Sequence, residues 1–123
     1  MKYLITNKQF NLLMESNEDK ILMLPNPERL GGWHILQQLL EKAGNPRYGI
    51  RGDLNLGGSS VESLGNLEYV GGFLNLSYTA VIITLGNLEH VGGYLNLRST
   101  PLSKTTTKEE IKSKVNVVGK IYF

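Results

Sequence analysis

The second half of the chain repeats itself. GDLNL ends at Leu56, GFLNL at Leu76 and GYLNL at Leu97, at spacings of 20 and 21 residues. Between them, LGNLEYVGG (64–72) and LGNLEHVGG (85–93) match at eight of nine positions. Self-similarity at this period marks units that cannot bury an apolar face alone and must stack on one another. A degenerate fourth copy, VVGKIYF (117–123), follows after 26 residues, so the last link carries an insertion.

The chemistry of one unit accounts for its length. Leu74 and Leu76 are separated by one residue, so in an extended segment both point to one face and can be buried. Three residues after the second leucine stands a small hydroxyl residue, Ser59, Thr79 or Thr100, suited to bonding backbone groups where the chain turns off the sheet. Val61, Val81 and Leu102 then re-enter the core. Leu64, Leu67 and Val70, like Leu85, Leu88 and Val91, recur every three residues, which predicts a short helical or 3₁₀ return on the opposite side. Gly52, Gly72, Gly93 and Gly119 each precede a strand, where a bend in a conformation that side chains oppose is expected.

Over 48–123 these phrases resemble a leucine-rich repeat, L-x-x-L-x-L-x-x-N-x-L, with Ser or Thr at the usual Asn position. The form LGNLExVGGxLNL is similar to short repeats of small bacterial and tailed-phage proteins. The resemblance implies an α/β repeat fold: a short solenoid of three to four units on a parallel sheet. It also implies a binding scaffold, and for a phage-borne protein an inhibitor of a host defence protein in the host cytoplasm.

A short solenoid needs covered ends. The chain reads as one domain, with a helical amino-terminal cap (1–47), repeats (48–103) and a carboxy-terminal cap (104–123). Thr6 with Gln9 forms a capping box before Phe10, Leu13 and Met14, predicting a helix from Asn7 to Ser16. Ile21 to Leu24 is an apolar run of ambiguous structure that belongs in the core. Trp33, Leu36, Leu39, Leu40 and Ala43 form an amphipathic stripe stopped by Gly44 and Pro46. Thr107 with Glu110, followed by Ile111 and Val115, predicts a helix over Lys108 to Lys114. Lys120 to Phe123 is then the last strand, and an exposed edge there invites pairing with a second copy.

Composition narrows the function. The 123 residues contain no Cys, which excludes thiol catalysis, Cys-ligated zinc and a disulfide scaffold. Thirteen Lys and Arg against 11 Asp and Glu leave a formal charge of +2, too small to argue for nucleic acid or membrane binding. No apolar run approaches the ~18 residues of a membrane span, and MKYLITNKQF turns polar after Ile5, unlike a secretion signal. A cytoplasmic protein is expected.

Candidates for chemistry are sparse, and the expectation is no enzyme, no metal and no cofactor. His34 lies on the predicted second helix, and His90 replaces Tyr69 of the preceding copy, which marks a packing or surface position. Glu62, Glu68 and Glu89 form no carboxylate pair with Asp53 and read as a solvated ridge. GGSS (57–60) lacks the second Gly and the Lys of a phosphate loop and reads as a turn. Arg51-Gly52-Asp53 is similar to an adhesion motif, and Asn75-Leu76-Ser77 to a glycosylation acceptor. Both fall on repeat positions that already have a structural role. From Arg98 onward six Lys and Arg face two Glu, a basic segment that reads as a solvated helix face rather than a nucleic-acid surface.

The outer face of the sheet, alternating with the buried leucines, is the candidate binding surface. Phe73, Tyr94 and Tyr122 lie there with Asn55, Asn75, Asn96 and Arg98; aromatic and Arg side chains dominate interface energetics. Cross-strand aromatic pairing and an Asn ladder would also stabilise a sheet. Strands at ~4.8 Å and residues at ~3.3 Å give a face of about 190 Å², against roughly 800 Å² per partner in a standard interface. The expected function is therefore a protein-interaction module taking a peptide, or using the caps as well. The alternative is an assembly protein that self-associates through its terminal strand or sheet face.

Overall fold

The computed structural model describes residues 21–123. The helix expected over Asn7 to Ser16 lies outside the described residues. From Leu22 onward the chain is an α/β fold in which two parallel sheets meet along a shared core. The first sheet runs β1 (Leu22–Leu24), β2 (Tyr48–Ile50), β4 (Leu67–Val70), β6 (His90–Val91) and β8 (Asn116–Val117). The second runs β3 (Leu54–Asn55), β5 (Leu74–Asn75), β7 (Leu95–Asn96) and β9 (Ile121–Tyr122). Each repeat supplies one strand to each sheet, and the leucines stand in register: Leu54 beside Leu74, Leu74 beside Leu95, Leu95 beside Ile121. The run 21–24, ambiguous in sequence, is extended and buries Leu22 and Leu24.

Local signals explain the turns. After each strand of the second sheet an Asn carboxamide oxygen accepts the backbone N–H two residues on: Asn55 from Gly57 at 3.1 Å, Asn75 from Ser77 at 3.0 Å, Asn96 from Arg98 at 3.1 Å. Gly58, Tyr78 and Ser99 then take left-handed backbone at φ 69°, 58° and 55°. The hydroxyls of Ser59, Thr79 and Thr100 donate to the carbonyls of Leu56, Leu76 and Leu97 at 2.6, 2.6 and 2.7 Å. That is the turn-closing role their position suggests.

Three expectations are corrected. The return over Leu64, Leu67 and Val70 is extended, not helical: Gly65 at φ 61° and Gly86 at φ 60° turn the chain into β4 and β6. Leu67 pairs with Tyr48 but Tyr69 with Gly49, so the register shifts at Glu68. The inserted residue lets Leu67 and Val70 face one side of a strand although three apart, a spacing that imitates a helix.

Second, Val81 is 47% exposed and Ile82, at 0%, takes the core position. The second repeat is one residue longer than the first, and the extra residue falls between Thr79 and Ile82.

Third, Gly52, Gly72, Gly93 and Gly119 do not need a glycine conformation, since none has positive φ. At Gly93 and Gly119 the corners of successive repeats instead lie backbone on backbone. A Cβ on Gly93 would stand 2.8 Å from the Phe73 nitrogen, and one on Gly119 2.8 Å from the Gly93 carbonyl carbon. A Cβ on Gly92 would collide with the Gly71 carbonyl oxygen.

Helices flank the sheets. The helix α1 (Trp33–Lys42) buries Leu36 and Leu40 and packs on the 3₁₀ turn Pro27–Leu30. Its neighbour Tyr48 is buried; its hydroxyl donates to the Leu64 carbonyl at 2.8 Å and accepts from Gln37 Nε2 at 3.3 Å. At the far end α3 spans Lys108–Lys114, as its capping box predicts, with Thr107 Oγ1 accepting the Glu110 N–H at 3.1 Å. A short α2 (Pro101–Thr105) precedes it, unforeseen although Thr100 and Pro101 are its N-cap and first residue.

Candidate functional site

The outer face of the second sheet carries a continuous row of four large side chains. Because β5 and β7 are parallel and in register, Phe73 and Tyr94, each immediately before its strand, stand side by side. Their rings stack at 4.7 Å between centroids with planes 3° from parallel. Tyr122 belongs to the neighbouring column, beside Asn96, and meets Tyr94 edge to face at 5.8 Å. The Arg98 guanidinium then lies 4.6 Å above the Tyr122 ring, a cation–π contact. All three aromatics are half-buried and Arg98 is exposed.

The asparagines expected on this face are there, and their carboxamide oxygens are engaged within it. Asn75 Nδ2 donates to Asn55 Oδ1 at 3.0 Å, and all three Oδ1 atoms close the turns described above. Asp53 begins the face by accepting the Phe73 N–H at 3.0 Å, a structural role for the acid of Arg51-Gly52-Asp53. The surface is thus layered: Asn55, Asn75 and Asn96 close the turns and Asn75 bridges to Asn55, while Phe73, Tyr94, Tyr122 and Arg98 form the row beside them.

The first sheet carries a second row that the sequence reading did not single out. Tyr69 and His90 stack at 4.9 Å with planes 7° apart, and His90 Nδ1 lies 3.2 Å from Asn116 Nδ2. The recurrence of Tyr69 and His90 at one repeat position was the available signal. His34, by contrast, is exposed on α1 beside Gln38. Glu68 corrects the solvated-ridge reading. Its side chain is 7% exposed, and both carboxylate oxygens accept from Arg47, Nε to Oε2 at 2.6 Å and Nη2 to Oε1 at 3.0 Å. The hydrogen bond and the charge of Glu68 raise the Arg47 pKa above its ordinary value.

Among the described residues no three His, Asp or Glu side chains gather as a metal site, and no helix is long and apolar enough to cross a membrane. Comparison with known proteins found no matching family model, no matching curated relative and no matching solved structure.

Proposed function

We propose that this chain is a protein-interaction module without catalytic activity, a short capped solenoid of leucine-rich-repeat type that holds a partner on the outer face of its second sheet. One observation carries the reading. Three aromatic rings and an arginine form an unbroken, partly exposed row on a backbone locked by in-register pairing. Rigid aromatic and guanidinium groups give contact area at low entropic cost, as interface anchors do.

Stacking also serves the sheet itself, since such pairs contribute about 0.5–1.5 kcal/mol beyond area burial. The test separates the two roles. Wild-type protein and a Phe73→Ala/Tyr94→Ala/Tyr122→Ala variant are used as bait in lysate of the source cell or its host, with folding checked by circular dichroism. A protein held by the wild type and lost by the folded variant supports the module. A variant that is less stable but retains every captured protein assigns the row to the sheet alone.

Self-assembly through β9 is the second reading, favoured by the position of that strand at the sheet edge among the described residues. Light scattering that gives a monomer across the micromolar range rules it out.

A further inference from the structure

The edge beyond β9 differs from the sheet face in chemistry as well as position. Along the second sheet each strand donates backbone N–H groups to the next repeat: Leu54 and Leu56 to Phe73 and Asn75, Leu74 and Leu76 to Tyr94 and Asn96, Leu95 and Leu97 to Lys120 and Tyr122. The next donors in this series are the N–H groups of Ile121 and Phe123, which no strand faces among the described residues. Beside them α3 and β9 enclose a groove of about 350 Å³, lined by Lys108, Lys112, Gly119, Lys120, Ile121 and Tyr122. Among the described residues no carboxylate lines it. None of its three lysines has an ion-pair partner among the described residues, and Glu110 turns instead to Thr107 and to a separate cavity shared with Lys114.

We propose that this groove takes an extended acidic peptide segment, which pairs with β9 as one more strand of the second sheet while its carboxylates meet Lys108, Lys112 and Lys120. Backbone pairing along a free edge supplies affinity, and side chains on alternate residues supply specificity.

Charge chooses the occupant. A second copy docked by two-fold symmetry would bring the same three lysines against their counterparts, and like charges opposed at an edge repel. A second copy docked head to tail would need the carbonyls of Asp53 and Asn55 at the other edge. There Asn26 Nδ2 already donates to the Asp53 carbonyl at 2.9 Å. A nucleic-acid strand would supply negative charge but asks for aromatic faces on which bases stack; among the described residues the one aromatic lining the groove, Tyr122, is occupied by Arg98 and Tyr94.

This inference goes beyond the sheet-face reading, and the test distinguishes them by place. Full-length ¹⁵N-labelled protein is titrated with a capped peptide alternating Glu and Val, and followed by amide chemical shifts. Saturable shifts at Ile121 and Phe123 are expected. They should vanish for a peptide N-methylated at alternate residues, be absent for one alternating Lys and Val, and weaken with salt. A Lys108→Gln/Lys112→Gln/Lys120→Gln variant should bind at least about ten-fold more weakly. Its changes are all on exposed residues, and the salt series tests the same charges should that variant fold poorly. Shifts confined to Phe73 and Tyr94, equal binding of the Lys peptide, no effect of the triple variant, tighter binding of oligodeoxythymidine, or no saturable binding would each overturn the proposal. So would concentration-dependent shifts at Ile121 and Phe123 without peptide, which mark self-pairing.

Discussion

Arg47 grips Glu68 across 21 residues of sequence, with Nε 2.6 Å from Oε2 and Nη2 3.0 Å from Oε1. The carboxylate sits where β4 shifts register against β2 and is shielded from water, so among the described residues it depends on that one partner. Removing the guanidinium strands a buried charge, whereas replacing both members with apolar groups of similar volume does not. Thermal unfolding should show Arg47→Met with a clearly lowered Tm and Arg47→Met/Glu68→Met recovering most of the loss. A double variant as unstable as the single would mean that the pair contributes more than mutual neutralisation.

Tyr48 should make stability fall in alkali. Burial pushes its pKa from 10.0 up to about 12, partly offset by the hydrogen bond from Gln37. The unfolded chain therefore releases this proton before the folded one. The stabilisation is fully present below pH 10.0 and is lost as the pH rises through about 12. Urea unfolding at increasing pH should show that decline in the wild type and a shallower one in Tyr48→Phe. At neutral pH Tyr48→Phe should cost about 1–2 kcal/mol, because the Leu64 carbonyl loses its donor.

Two glycines at the repeat corners should respond oppositely. A Cβ on Gly92 meets the backbone of Gly71, which cannot move aside without shifting a whole repeat, whereas a Cβ on Gly52 meets nothing within 4 Å among the described residues. Gly92→Ala should destabilise by about 2 kcal/mol or more, through overpacking against a fixed neighbour. Gly52→Ala should be neutral or slightly stabilising, because it restricts the unfolded chain. Denaturant midpoints of the two variants decide this.

The one-residue shift in the second repeat is measurable as well. Ile82→Ala empties a site with no exposure and should cost about 2–4 kcal/mol. Val81→Ala, on the surface, should fall within about 0.5 kcal/mol of wild type. Equal costs would place Val81 back in the core.

The sequence alone carried what depends on neighbouring residues. The phase of the repeat was legible, as were the buried leucines, the hydroxyl turns, the amphipathic stripe from Trp33 and the helix Lys108–Lys114. Each rests on a local signal: alternation, a cap or a turn residue. The outer-face positions of the second sheet were legible too, because they alternate with the buried leucines. Tertiary structure alone decided that Leu67 and Val70 share a strand face across a register shift, that Ile82 displaces Val81, and that Gly92, Gly93 and Gly119 are needed for space rather than for conformation. It also decided that Glu68 is buried against Arg47 and that Tyr122 joins the aromatic row from a neighbouring column. These outcomes depend on what lies one repeat away in space, about 20 residues away in sequence, and no local periodicity encodes the approach of one backbone to another.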